Sequence, residues 1–153
     1  MNEPDMHSSL FENLLKKGTS ILGLQVGIVS KVYGTNYEII AIDDIANEFK
    51  SGDVLQLEDT YCKDIFSQGK TIALTEVDGV QGLAKHPLYA AYTLEAYIGA
   101  PIKMNEDIWG TINFSSMVLR PTKFTESEIA LVEAYADLIT CSLSGSCDYT
   151  RYA

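Results

Sequence analysis

A serine or cysteine nucleophile needs a base beside it, and this chain offers two histidines for that role, His7 and His86. His7 falls in an N-terminal stretch expected to fray, and nothing in the sequence places a nucleophile beside His86. The three cysteines, Cys62, Cys141 and Cys147, are odd in number and form no Cys-x-x-Cys pair, so reduced thiols are expected in place of a disulfide framework or a zinc site. Cys62 falls in the first turn of a short expected helix, where the dipole favours a thiolate; the weightier reading is a small buried thiol. Asp43, Asp44, Glu48, Asp53, Glu58 and Asp59 cluster near strand ends and turns, and in so acidic a chain they read as a solvated face rather than as acid/base groups. No P-loop, G-x-G-x-x-G, H-E-x-x-H or EF-hand pattern is present.

Aromatic density is more informative. Tyr61, Phe66, Tyr89, Tyr92, Tyr97, Trp109 and Phe114 gather in one stretch beside the polar strand positions Thr111, Asn113 and Ser115. Strand alternation turns Ile112 and Phe114 one way and those three polar residues the other, where they either meet water or line a cavity. A long connection over residues 78–92, with Gly79, Gly82 and Pro87 and a helical turn expected from Pro87, must lie over something. A loop covering a sheet face is a common way to build a small-ligand cleft.

The elements that must position these residues follow from periodicity. Leu10, Phe11, Leu14, Leu15, Ile21 and Leu22 make one helical stripe over residues 8–22, weakened locally by Gly18. Residues 25–33 and 37–42 flank Gly34-Thr35-Asn36 as an antiparallel hairpin, and 96–104 and 108–115 flank Asn105-Glu106-Asp107 as a second. Between them come short strands at 54–57 and 71–76 and a short helix capped by Asp59 or Thr60 and ended at Gly69. Thr125-Glu126-Ser127-Glu128 is a capping box opening a long helix with Ile129, Val132, Ala136, Ile139 and Leu143 in line, widened by Leu131, Tyr135 and Leu138. The order helix, two strands, mixed segment, two strands, helix gives an α+β layer fold with a central antiparallel sheet, not a parallel βαβ sheet.

At 153 residues one domain is expected. Eleven Lys plus Arg against 21 Asp plus Glu give a net charge of −10 and a pI near 4.5. Such a surface repels phosphate backbones and anionic lipid, which argues against nucleic acid and membrane partners. No apolar run is long enough to span a bilayer and the start lacks a signal-peptide pattern, so a cytoplasmic location is expected.

From about Leu10 to Leu143 the chain resembles a GAF domain. The residues carrying the resemblance are Gly27-Ile28-Val29, Leu57-Glu58-Asp59-Thr60-Tyr61-Cys62, His86-Pro87-Leu88-Tyr89, the run from Leu94 through Tyr97, Gly99 and Pro101 to Ile102, Trp109-Gly110-Thr111-Ile112-Asn113-Phe114-Ser115, and Phe124-Thr125. The resemblance implies a profilin-like, GAF/PAS-type sheet with the terminal helices on one face and a ligand pocket on the other. The expected domain spans 10–143, between a flexible 1–9 and a tail over 144–153. It also implies regulation rather than chemistry: a non-catalytic sensor of a small molecule, or a dimerising module serving a histidine kinase, cyclase or other output domain, either excised from a longer protein or acting on another chain. The expected ligand-binding residues are Tyr61, Cys62, His86, Tyr89, Tyr97, Gly99, Asn113 and Ser115.

Departures from the family's subtypes narrow the ligand. His86 and Tyr89 keep the His-x-x-Tyr spacing of bilin-binding GAF domains, but Lys85 stands where their attaching cysteine would be, so no thioether to a bilin forms there and no covalent cofactor is expected. The cyclic-nucleotide signature is not recognisable. The alternative from another class is a stand-alone, thiol-dependent free methionine-R-sulfoxide reductase, whose cysteines lie together in the pocket region; here two of three lie near the C-terminus. The width of the last helix, with Leu10, Phe11 and Leu14 of the first, further suggests a homodimer through the two terminal helices.

Overall fold

The computed structural model describes residues 6–44, 49–60, 62–75, 95–118 and 120–145. Its elements are α1 (Met6–Leu22), β1 (Val26–Tyr33), β2 (Asn36–Asp44), β3 (Val54–Gln56), a 3-10 turn (Leu57–Asp59), α2 (Cys62–Gln68), β4 (Ile72–Thr75), β5 (Ala96–Met104), β6 (Asp107–Ser116) and α3 (Glu126–Ser144). Six strands form one antiparallel sheet in the order β3-β2-β1-β6-β5-β4, so the two hairpins meet at its centre through β1 and β6. The α+β expectation and the two hairpins are correct. The loop at 78–92 lies outside the described residues.

Both hairpin loops are one residue shorter than the sequence suggested. Tyr33 pairs with Asn36 and Met104 with Asp107, which leaves Gly34-Thr35 and Asn105-Glu106 as two-residue loops. Tight loops of this kind match the right-handed twist of their strands only with a positive φ, which Gly34 and Asn105 supply at their first positions. Leu57, expected to end a strand, instead starts the 3-10 turn. Helix α1 begins at Met6, and His7 is not frayed: its Nδ1 lies 2.5 Å from Ser142 Oγ on α3.

Strand alternation divides the side chains into two layers. On one face Val29, Ala41, Ile98, Ala100, Ile102, Ile112 and Phe114 pack under α1 and α3, which contribute Phe11, Leu15, Val132, Tyr135 and Ile139. Gly18 sits in the middle of α1 despite its poor helix propensity because of Phe114: a Cβ on Gly18 would lie 2.2 Å from the ring's Cζ. Tyr135, read from sequence as lying to the side of the α3 stripe, is a core residue, and Leu131 and Leu138 pack against that same core. The other face carries Val32, Tyr37, Ile39, Ile65, Cys62 and Tyr97, with α2 laid across β5 and β6.

The capping box forms as expected: Thr125 Oγ1 accepts from the Glu128 amide at 3.1 Å, and Glu128 Oε1 accepts from the Thr125 amide at 2.8 Å. Arg120 extends it into a strap between the terminal helices. Its Nη2 donates to Glu128 Oε1 at 2.5 Å, its Nη1 to the carbonyl of Leu22 at the end of α1 at 3.1 Å, and its guanidinium lies 4.3 Å from the Phe124 ring centroid. Burial alone would raise the Glu128 carboxyl, but the Thr125 amide and the Arg120 guanidinium outweigh it and hold the group below the usual carboxylate range. A depressed carboxylate stabilises fully above its unfolded pKa, roughly 4.3, and that contribution is lost as pH falls through the folded value. Arg120→Ala is therefore expected to cost about 1.5–3 kcal/mol at neutral pH. In urea denaturation at a series of pH values, the gap between parent and variant is expected to narrow below about pH 4. A pH-independent gap would contradict this account.

No helix among the described residues is long and apolar enough to cross a membrane.

Candidate functional site

The polar residues of β6 do not meet water. Thr111, Asn113 and Ser115 are all buried, Asn113 at 4% and Ser115 at 7% exposure, which removes the solvated-face alternative. Register explains how they assemble: Ser30 of β1 stands opposite Thr111, Ile28 opposite Asn113, and on the other side Gly99 and Tyr97 of β5 stand opposite Asn113 and Ser115. All of these face the layer that α2 covers, and α2 delivers Cys62 from its first turn.

A hydrogen-bonded cluster results. Cys62 Sγ lies 3.1 Å from Thr111 Oγ1 and 3.2 Å from Tyr97 Oη, and Ser30 Oγ lies 2.8 Å from Thr111 Oγ1. Asn113 Nδ2 donates to Tyr37 Oη at 3.1 Å and makes longer contacts, each 3.4 Å, with Cys62 Sγ and Thr111 Oγ1. Gly99 makes room for it: a Cβ there would meet Ile65 Cδ1 at 2.6 Å and the Tyr97 hydroxyl at 2.8 Å. Buried polar atoms of this kind cost stability unless paired, so the cluster is a specified arrangement of the fold.

The pairing is incomplete at Asn113. Every hydrogen bond of Asn113's side chain uses its amide nitrogen, so its carbonyl oxygen is unpartnered among the described residues. Turning the amide over would leave the nitrogen unpartnered instead. Two positions along the same strand face, the buried Ser115 hydroxyl also makes no hydrogen bond among the described residues. A buried acceptor and a buried hydroxyl two positions apart on one strand face call for partners from outside the described residues.

Electrostatics leave Cys62 a thiol. It is 1% exposed, and burial pushes its pKa up against hydrogen bonds from Thr111 and Tyr97 that lower it. The helix dipole therefore does not produce a thiolate. Burial likewise pushes Tyr37 well above the ordinary phenol range, so the hydroxyl stays protonated and able to donate. No group of three or more His, Cys, Asp or Glu among the described residues could hold a metal ion.

Of the eight residues expected from sequence, the structure brings Cys62, Tyr97, Gly99, Asn113 and Ser115 to one place, while Tyr61, His86 and Tyr89 lie outside the described residues. Two members of the cluster were missed. Ser30 is the one polar residue on the side of β1 that carries Val26, Ile28 and Val32, which is its only signal, and Tyr37 reaches the site because the β1–β2 register shifts between Val29 and Ser30.

An antiparallel sheet with terminal helices on one face and a polar, tyrosine-lined layer on the other defines an α+β domain of the profilin-like kind. The chain belongs to the GAF family: the family model described as GAF domain matches residues 7–143. Among solved structures it is similar to the GAF domain of an Acinetobacter phosphoenolpyruvate-protein phosphotransferase, at 11% identity and a TM-score of 0.73, covering 95% of this chain and 85% of that one. It is also similar to the phycocyanobilin-bound GAF domain of a cyanobacterial phytochrome, at 14% identity and a TM-score of 0.73, covering 92% and 85%. A third is the blue-light-absorbing form of the PixJ GAF domain of Thermosynechococcus elongatus, at 17% and 0.65, covering 88% and 84%. A search of curated proteins finds no match.

Proposed function

We propose that this GAF domain is a non-catalytic sensory module that binds a small molecule against the β5–β6 face, beside Tyr97, Gly99, Asn113 and Ser115, with Tyr61, His86 and Tyr89 completing the site. The observation that carries this reading is the pair of buried polar groups, the Asn113 amide oxygen and the Ser115 hydroxyl, that have no partner among the described residues and adjoin a cluster of paired side chains. A ligand offering a hydrogen-bond donor beside an acceptor would satisfy both. Cys62 argues against the sulfoxide reductase, because a deeply buried neutral thiol is a poor nucleophile.

Bound at about 100 times its dissociation constant, the ligand is expected to stabilise the fold by ~2.7 kcal/mol. For a chain of this length that is a rise of roughly 5–10 °C in melting temperature. A thermal-shift screen with a metabolite panel reads it directly. Ser115→Ala, which removes no hydrogen bond made among the described residues, is expected to keep the unliganded melting temperature and lose most of the shift. A panel with no shift, or a shift untouched by Ser115→Ala, would contradict the assignment. Turnover of free methionine sulfoxide with a thiol reductant, abolished by Cys62→Ser, would replace the sensor with the enzyme.

A bilin belongs on that panel because several similar GAF domains carry one by name. Lys85, at the place where bilin-binding relatives attach the chromophore, leads us to expect non-covalent binding, so any colour gained with phycocyanobilin should be lost on denaturation. Twofold association through α1 and α3 is part of the same proposal. It rests on the exposed Ile21 of α1 more than on the α3 stripe, which the domain's own core largely covers. Light scattering that reads one chain at all concentrations would remove it. Cytoplasmic signalling to an output domain such as a histidine kinase or cyclase completes the reading.

A further inference from the structure

A hollow opens where β5 outruns β4. The pairing of β4 begins with Ile72 opposite Gly99, so from Ala100 onward β5 pairs, among the described residues, with β6 alone. Pro101, which has no N–H to leave orphaned, occupies this open edge. Helix α3 crosses here and donates from Thr140 Oγ1 to the Lys103 carbonyl at 2.8 Å. Because Ala100 and Ala136 are small where strand and helix meet, a hollow of about 400 Å³ remains above them and Pro101. That volume falls at the small end of ligand sites, which run from roughly 300 to 1,000 Å³.

Its walls carry both signs of charge, held apart. Lys70, in the turn after α2, and Lys103, on β5, supply the cations. Glu133 and Asp137, one helical turn apart on α3, supply the anions. Thr71 Oγ1 donates to Glu133 Oε2 at 2.7 Å and fixes that carboxylate at the wall. None of these four charges pairs with another: the ion pair found among the described residues is Arg120–Glu128, elsewhere on the surface. Two carboxylates at i and i+4 repel each other, and the chain's net charge of −10 adds to that repulsion.

We propose that this hollow binds a small zwitterion of the α-amino-acid kind, with its ammonium group between Glu133 and Asp137 and its carboxylate toward Lys70 and Lys103. A ligand with one charge leaves half of the lining uncompensated, and a ligand with both, a few ångströms apart, complements it. The site is separate from the Asn113 cluster and does not depend on it.

The test is amide chemical-shift mapping of the full chain with each of the twenty L-amino acids at millimolar concentration, alongside the N-acetylated and carboxamide forms of any that bind. Saturable shifts centred on Thr71, Ala100, Lys103 and Ala136 are expected. Affinity is expected to fall about tenfold or more when either ligand charge is blocked. Lys103→Ser and Asp137→Ser, both at exposed positions, should weaken binding similarly at an unchanged melting temperature. The proposal is overturned if no amino acid gives saturable shifts there, if blocked forms bind equally well, or if the shifts centre on Asn113 and Ser115 instead.

Discussion

Gly110→Ala is expected to cost at least about 4 kcal/mol, enough to leave little folded protein in a domain of ordinary stability. Gly110 stands opposite Lys31 on β1 and Ile102 on β5, at the centre of the sheet. A Cβ there would fall 1.8 Å from the carbonyl oxygen of Ser30 and 2.8 Å from its carbonyl carbon. Those are backbone atoms, with no rotamer to escape into, so β1 would have to move away from β6. That junction joins the two hairpins into one sheet, and Ser30 also belongs to the buried cluster through Thr111. Urea denaturation and soluble yield check this; a variant within about 1 kcal/mol of the parent would show that the strands are not so closely joined.

Phe114→Ala is expected to cost about 3–5 kcal/mol, and its interaction with Gly18 should change the sign of a second substitution. The Phe114 ring is fully buried between Gly18 of α1 and Gly27 of β1, where a Cβ on either would meet ring atoms at 2.4 Å or less and 2.9 Å respectively. In the parent, Gly18→Ala overpacks this contact and should destabilise by about 1–3 kcal/mol. With Phe114→Ala already present the ring is gone, so the same change should stabilise, by up to about 1 kcal/mol from helix propensity. Four proteins and one denaturation series give the coupling. Additive effects would mean that the ring does not hold the helix to the sheet.

What the sequence made legible was local. The capping box at Thr125, the two hairpins and the alternation that turns Asn113 away from Phe114 each depend on residues a few positions apart, and each forms, the hairpins with loops one residue tighter than expected. Pairings between distant segments carried no such signal. The junction of β1 with β6, the strap from Arg120 to the end of α1 and the Gly18–Phe114 contact join residues far apart in the chain, 79 positions or more. Tyr37 illustrates the site's share of this: its side is set by a register shift that no alternation pattern reveals, so a residue of the central cluster was read as plain strand. Gly18 is the reverse case, a local defect in helix propensity whose reason is a ring on the distant strand β6.

On the proposed function, the Asn113 amide oxygen and the Ser115 hydroxyl form the polar end of a ligand site. Amide chemical-shift mapping with the compounds that raise the melting temperature tests it most directly. The expected result is saturable shifts at Tyr97, Gly99, Asn113 and Ser115, reduced in Ser115→Ala. Hits whose shifts all fall elsewhere on the domain, leaving these four residues unmoved at saturation, would contradict it.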